Sequence, residues 1–262
     1  MSINNTLKNI FGGTNFLKLQ KVKKIFFPTK FDNEQKANFD NQVAFYKQLI
    51  KPNSLCFDIG ANIGLKSKIF LQLGAKVVAV EPQASCVAIL QREIGNKATI
   101  VAKGVGATSE VKDFYVSTNF ELSSFNKEWI NTLPVEEYGD TQIKQVEKIE
   151  IITLDNLIKQ YGKPDFIKID VEGFEIEVLK GLNEHFNTLS FEFFVSQSTN
   201  ELLQCLDILQ SKFNGLSVNF TNGNVSSKFN LDKWISLNDF INYVKNTNFK
   251  SMIAGDIYVK MN

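Results

Sequence analysis

The sequence is poor in the residues on which many active sites depend. Among its 262 residues there are one histidine, three cysteines and two tryptophans. Cys56, Cys86 and Cys205 are spaced too widely for a CxxC pair or a zinc knuckle, so we predict buried thiols in a reducing compartment and no metal site. The single histidine, His185, leaves few groups that exchange protons at neutral pH. It lies near the end of a predicted helix, where its charge would favour the helix dipole.

The chain also lacks an excess of charge of either sign. Its 29 lysines and arginines balance 28 aspartates and glutamates, for a formal charge of +1. This balance argues against a broad attraction to nucleic acid or to an acidic membrane surface. Residues 1–27 carry polar or charged side chains every few positions, which predicts neither a signal peptide nor a membrane span. We therefore expect a cytoplasmic protein.

Hydrophobic residues make up 44% of the chain, and their spacing repeatedly changes from strand-like runs to helical periodicity. This alternation is typical of βαβ units and predicts an α/β fold with a mostly parallel sheet. Candidate strands are 54–60, 76–82, 98–104, 165–171, 189–195 and a final strand at 255–262. Candidate helices are 34–50, 63–73, 83–96, 173–182, 196–213 and 236–249.

The chain shows no interdomain linker, which predicts one domain over residues 34–262 behind an N-terminal extension, residues 1–33. Residues 105–150 are too long for a simple connector, and they alternate short β-prone pieces with polar loops. An insertion placed here could cover the carboxyl edge of the sheet and shape a substrate pocket. The alternative is an edge hairpin with no functional role.

The segment CFDIGANIGLKSKIF joins a predicted strand to a helix through a glycine-containing turn. Such turns lie at the carboxyl edge of an open α/β sheet, where ligands bind. The next strand ends in Glu81, whose carboxylate could accept hydrogen bonds from both hydroxyls of a ribose. A dinucleotide fingerprint would have glycine where Asn62 stands, and Asp58 favours a cationic ligand over a pyrophosphate. The pattern therefore favours S-adenosyl-L-methionine (SAM), with an NAD-dependent oxidoreductase and a simple tight turn as the alternatives.

Four segments in this order, DIGANIG, VVAVEP, ITLDNLI and FIKIDVEGFEIEVLKG, resemble the FkbM family of SAM-dependent methyltransferases. The resemblance covers roughly residues 40–260. It implies a Rossmann-like, seven-stranded methyltransferase sheet with an antiparallel last strand, and methyl transfer to oxygen. It places the methionine part of the cofactor at one turn, the ribose at a second and the adenine at the end of the third strand. The implied cofactor residues are, in that order, Asp58, Gly60, Ala61, Asn62 and Gly64, then Glu81 and Pro82, then Gly104 and Val105.

Charged residues at the fourth predicted strand are the candidates for the chemistry. Lys168, Asp170 and Glu172 alternate there and would share one face if the strand stays extended. A lysine in an apolar strand is costly unless paired, and Asp170 or Glu192 could pair with it. Two interpretations stay open, a buried ion-pair network or a site in which Lys168 orients Asp170 beside the acceptor oxygen. Glu172 could instead cap the following helix.

The sequence thus predicts a SAM-dependent O-methyltransferase with Asp170, Lys168 and Glu172 as catalytic residues. Its acceptor would be a hydroxyl on a sugar, glycan precursor or natural product. A noncatalytic binding module that keeps the same sheet is the third alternative. Because a sulfonium methyl is transferred by in-line displacement, alignment supplies much of the rate, and a general base adds about 10²- to 10⁴-fold.

Overall fold

The computed structural model describes residues 30–194, 199–223, 228–247, 249 and 254–261. The chain divides into two compact units, Met1–Gln42 and Val43–Asn262. Of the first unit the structure describes 30–42, which is helical, so most of the predicted N-terminal extension lies outside the described residues. None of the helices in the described ranges is long and apolar enough to cross a membrane.

Strands and helices alternate along most of the second unit. The described strands are β1 (Leu55–Ile59), β2 (Lys76–Val80), β3 (Thr99–Val101), β4 (Gly104–Val105), β5 (Val111–Ser117), β6 (Ile143–Ile152), β7 (Phe166–Ile169), β8 (Thr188–Phe194), β9 (Leu216–Phe220), β10 (Ile235–Ser236) and β11 (Ala254–Met261). The described helices are α1 (Lys30–Tyr46), α2 (Leu65–Gln72), α3 (Ala84–Ile94), α4 (Lys127–Thr132), α5 (Val135–Tyr138), α6 (Leu154–Tyr161), α7 (Glu175–Lys180), α8 (Asn200–Lys212) and α9 (Leu237–Asn246). A 3-10 turn covers Phe120–Leu122.

The main sheet has the strand order β10-β9-β11-β8-β7-β1-β2-β3. Strands β3, β2, β1, β7 and β8 are parallel, and β11 runs antiparallel between β8 and β9. The predicted α/β class and the antiparallel last strand are confirmed. The predicted count of seven is one short, because the two-residue strand β10 adds an eighth at the edge. A two-residue strand is too short to leave a periodic pattern in the sequence.

Several predicted boundaries shift for local reasons. The candidate strand 98–104 is divided, since β3 stays in the main sheet while β4 pairs with β6 in a second sheet. The helix predicted at 34–50 ends at Tyr46. Helix α7 ends at Lys180, so His185 lies beyond it, exposed, with its ring edge-on to Phe213. Part of the predicted helix 196–213 lies outside the described residues, and α8 begins at Asn200.

Both faces of the central strands are buried. On one face, the rings of Tyr46, Phe70 and Phe166 meet edge to face with centroids 5.2–5.8 Å apart. On the other, side chains of α6, α7 and α8 join the main hydrophobic core. This explains why the strands are apolar on both sides, as parallel strands covered by helices must be. The three cysteines are buried free thiols, as predicted.

The insertion at 105–150 forms most of a second sheet with the order β4-β6-β5. Strands β5 and β6 pair in antiparallel register over most of their length. Phe125 packs between Phe114 of β5 and Phe174, with ring centroids 4.8 and 5.3 Å away. The insertion is therefore anchored on the loop that follows β7 at the carboxyl edge of the main sheet.

Candidate active site

The turn after β1 is shaped by three residues in the left-handed region. Gly60, Asn62 and Gly64 have φ angles of 78°, 49° and 84°. The backbone N–H groups of Gly60 and Ala61 donate to the carbonyl of Val80 at 2.9 and 3.0 Å. A Cβ on Gly60 would lie 1.7 Å from the carbonyl oxygen of Asp170. Only glycine fits here, because the turn presses against the backbone that follows β7.

Glu81 follows β2 and joins two turns. Its Oε2 accepts from the N–H of Asn62 and its Oε1 from the N–H of Gln83, both at 2.8 Å. The residue is 6% exposed, and burial raises its pKa to about 7 despite these two hydrogen bonds. Each carboxylate oxygen retains acceptor capacity for a ligand hydroxyl.

A cleft of about 580 Å³ opens beside Glu81, and we call it the Glu81 cleft. Six of the nine predicted cofactor residues line it: Gly60, Asn62, Glu81, Pro82, Gly104 and Val105. The other three, Asp58, Ala61 and Gly64, are buried and are not among its lining residues. Sequence reasoning predicted that the insertion could cover this edge, but it did not identify the residues that form the wall, Phe114, Phe120, Glu121, Ser123 and Phe125.

Asp58 is buried and lies outside the lining of the cleft. Its Oδ2 accepts a 2.5 Å hydrogen bond from the Oγ of Ser67, which ties β1 to the first turn of α2. Burial raises the pKa of Asp58, and the Ser67 hydroxyl and the Lys168 charge oppose this shift. This bond joins the two elements that flank the glycine turn, β1 and α2.

Lys168 lies in a buried ion-pair network. It is 1% exposed, and its Nζ is 2.9 Å from Oδ2 of Asp170 and 3.3 Å from Oδ1 of Asp256. Burial lowers the pKa of Lys168, but the two carboxylates outweigh it and hold the pKa well above its usual value. In turn, burial raises the pKa of Asp170 and the Lys168 charge brings it below the usual value. Asp170 was one of the two predicted partners, whereas Asp256 was not anticipated.

Asp170 also belongs to a group of three carboxyls with Glu172 and Glu192. Their nearest oxygens all lie within 4.8 Å of one another, close enough to hold a cation. Burial raises the pKa of Glu172 well above its usual value, and the charge of Asp170 raises it further. The pKa of Glu192 is raised for the same two reasons.

The backbone does not stay extended as far as Glu172, so the condition for a shared face with Lys168 and Asp170 is not met. Strand β7 ends at Ile169, and Glu172 has a φ of 55°. Neither does it cap the next helix, because Phe174 precedes α7 and Glu175 accepts from the N–H of Val171 at 3.0 Å.

A second cavity of about 980 Å³ adjoins the Glu81 cleft, and we call it the Trp129 cavity. Its walls combine residues of the insertion with residues that follow β7 and residues of β8 and α8. Glu121 and Glu172 line both cavities, so the two meet at these residues. The remaining lining residues are Asn119, Leu122, Trp129, Tyr138, Gly173, Glu175, Ile176, Phe191, Glu192, Phe193, Glu201, Leu202, Cys205 and Ala254.

The sequence of residues 58–212 matches the model of the methyltransferase FkbM domain. This chain belongs to the FkbM methyltransferase family. The matched range runs from Asp58 to Lys212 and includes the residues that line the Glu81 cleft. Membership confirms the predicted relationship and assigns this domain to the SAM-dependent methyltransferases.

Relatives of this FkbM chain include the methyltransferase sdnD of Sordaria araneosa, which is 30% identical over 165 residues. That alignment covers 50% of this chain and 61% of sdnD, so the chain spans less than two thirds of its relative. Among solved structures, precorrin-6y C5,15-methyltransferase from Geobacter metallireducens is 12% identical with a TM-score of 0.40, covering 84% of this chain and 87% of that one. The plantazolicin methyltransferase BpumL in complex with SAH is 11% identical with a TM-score of 0.43, covering 91% and 93%.

SAM is the cofactor that FkbM membership implies, and the Glu81 cleft fits it. The cleft lies at the carboxyl edge of the sheet, where open α/β folds bind their ligands. Backbone without a side chain at Gly60 and a buried carboxylate at Glu81 suit an amino-acid moiety and a ribose, respectively. Asp170 and Glu172 on the same cleft suit a cationic ligand.

Proposed function

We propose that this chain transfers a methyl group from SAM to a hydroxyl oxygen of a sugar, glycan precursor or natural product. The donor would occupy the Glu81 cleft and the acceptor the Trp129 cavity. The observation that supports this most is that the two cavities meet at Glu121 and Glu172. An acceptor hydroxyl at that junction would face the donor directly, as in-line methyl transfer requires.

Different residues of the Glu81 cleft bind different parts of the donor. The methionine part contacts Gly60 and Asn62. The turn that contains these two residues is stabilised by the buried residues Asp58, Ala61 and Gly64. Glu81, followed by Pro82, accepts hydrogen bonds from the ribose. The adenine lies at Gly104 and Val105, where a Cβ on Gly104 would be 2.4 Å from Cζ of Phe125 and would narrow the cleft.

The reacting groups are those after β7. When bound, SAM supplies a methyl group on a positively charged sulfur. Glu172 accepts the proton of the acceptor hydroxyl, since it lines both cavities. Asp170 faces the donor cleft and stays ionised beside Lys168, which Asp256 holds in place. We assign Lys168 as the residue that orients Asp170.

Residues 105–150 serve as the acceptor cap of the single methyltransferase domain in this proposal. They supply Asn119, Glu121, Leu122, Trp129 and Tyr138 to the Trp129 cavity. The position of these side chains next to the donor cleft favours the substrate cap over an edge hairpin with no functional role.

Methyl-labelled SAM, incubated with the chain and a small-molecule extract, tests the proposal by mass analysis of the product. We expect a labelled O-methyl ether. Glu172→Gln should still bind SAM and lose about 10²-fold or more in rate. Glu128→Gln, an exposed carboxylate outside the Trp129 cavity, is the matched control. A label on nitrogen or carbon, or SAM binding without turnover, would contradict O-methylation.

A further inference from the structure

The Trp129 cavity is strongly acidic. In the described part of the chain its lining includes no lysine, arginine or histidine. Five carboxyl side chains line it: Glu121, Glu172, Glu175, Glu192 and Glu201. A cavity with this lining selects for positive charge.

The nearby cation is already engaged by other carboxylates. Lys168 contacts Asp170 and Asp256, and neither of these aspartates lines the Trp129 cavity. Burial raises the pKa of Glu175 to about 7, and burial together with neighbouring negative charge raises those of Glu172 and Glu192 well above their usual value. The glutamates thus repel one another when ionised, and a cation among them would relieve that repulsion.

Aromatic rings complete the cavity. The Trp129 ring packs over Gly173, because a Cβ on Gly173 would lie 2.3 Å from its Cγ, and the backbone N–H of Trp129 donates to Oδ1 of Asn126 at 3.1 Å. Tyr138 contributes a second ring to the wall. Indole and phenol faces attract organic cations, whereas they offer little to a hydrated metal ion.

We propose that the methyl acceptor is a hydroxylated amine, such as an amino sugar, whose ammonium group binds among the glutamates of the Trp129 cavity. The inference rests on the proposed function and deepens it. It places the positive charge of the acceptor at Glu175, Glu192 and Glu201, and its reacting hydroxyl at Glu172. The rival is a neutral polyol, bound by hydrogen bonds from protonated carboxyls.

Calorimetric titration of the full chain saturated with S-adenosylhomocysteine (SAH) tests the charge requirement. The probes are glucosamine, galactosamine and serinol, each paired with its N-acetyl derivative. We expect at least one amine to bind about tenfold or more tightly than its neutral partner, as one charge-assisted hydrogen bond would give. Equal binding within every pair, tighter binding of the N-acetyl forms or no binding of any probe would overturn the proposal.

Two variants locate the binding. Glu201 is exposed in the first turn of α8, so Glu201→Gln should leave the fold intact and weaken the amine about fivefold or more, without affecting the N-acetyl form. The control is Glu128→Gln. Equal effects of the two substitutions would overturn the assignment of this cavity, as would saturable Mg²⁺ binding that excludes the amine. Titrations of SAH alone and of the amines without SAH run in parallel, so a failed donor site is distinguished from a failed amine site.

Discussion

Glu81 changes its charge near physiological pH, because burial raises its pKa to about 7. An ionised carboxylate accepts hydrogen bonds from ribose hydroxyls, whereas a carboxylic acid offers less acceptor capacity. We predict that SAM affinity, measured by calorimetry, rises between about pH 6 and pH 8, by up to about tenfold per unit below the pKa. Glu81→Gln should bind more weakly with a flatter profile, and the exposed Glu184→Gln should behave as the unaltered chain.

The same shift predicts how stability depends on pH without ligand. A carboxyl whose pKa is raised on folding binds its proton more tightly in the folded state. The stability that Glu81 contributes is therefore complete below the unfolded pKa near 4.5 and is lost as pH rises through about 7. The free energy of unfolding, followed by urea titration, should fall over this range more steeply than in Glu81→Gln. Parallel slopes would contradict the shift.

Substitution of Gly60 tests how closely the turn after β1 packs against the loop after β7. A Cβ there would lie 1.7 Å from the Asp170 carbonyl oxygen, so Gly60→Ala must push the turn away from β7. We predict a loss of about 3 kcal/mol in the free energy of unfolding, together with loss of SAM binding. Gly215→Ala is the control, because its φ of +70° imposes similar backbone strain but nothing lies within 4 Å. It should cost about 1 kcal/mol.

Local motifs made part of this site predictable. The turn DIGANIG and the carboxylate after the next strand are adjacent to their own strands, so strand order alone brings Gly60 and Glu81 to one edge. Asp256 depends on register, because β11 enters the sheet from the far end of the chain and pairs Asp256 with Glu192. No local pattern in the last strand encodes that partner, which is why the second carboxylate on Lys168 was missed.

At the scale of elements, the insertion fastens the loop that contains the reacting groups. The Oγ of Ser124 donates to the carbonyl of Glu172 at 2.6 Å, and Nδ2 of Asn126 donates to that of Gly173 at 3.0 Å. We predict that Ser124→Ala lowers the free energy of unfolding by about 1–2 kcal/mol and speeds amide hydrogen exchange over 170–176.

The control for that experiment is Ser211→Ala, which removes an exposed hydroxyl that donates to the carbonyl of Ile208 in its own helix. It should leave exchange over 170–176 unchanged. Unchanged exchange in Ser124→Ala as well would show that the loop holds its conformation without the insertion.

Periodicity placed six strands of the main sheet, but not β9, β10 or the second sheet. The sequence predicted β-prone pieces in 105–150, and a long connection that contains α4 and α5 separates β5 from β6. Register between such strands is set by contacts across the pair, since no tight turn fixes it. The candidate strand 98–104 is divided for the same reason, namely pairing with a distant strand. Gly104–Val105 pairs with Ile151–Ile152 instead of continuing β3.

At the scale of the whole molecule, a nearly neutral chain gathers acids at one edge of its sheet. Its formal charge is +1, yet Glu81, Asp170 and Glu172 all line one cleft. The field there favours a cationic sulfonium over its uncharged thioether product, and disfavours a pyrophosphate. We therefore predict that SAM binds more tightly than SAH by ~1 kcal/mol, about fivefold, and that added salt narrows the difference.

Thermal unfolding of the full chain compares SAM, SAH and NAD under the same conditions. A ligand stabilises only a fold that binds it, so SAM at a hundredfold excess over its Kd should raise Tm by about 5 °C. SAH should raise Tm less at equal concentration, and NAD should not raise it, because its pyrophosphate would meet Asp170 and Glu172 instead of a glycine cradle. A shift with NAD that matches that with SAM would favour the oxidoreductase alternative, since the carboxyl edge would then tolerate the charge that it is expected to repel.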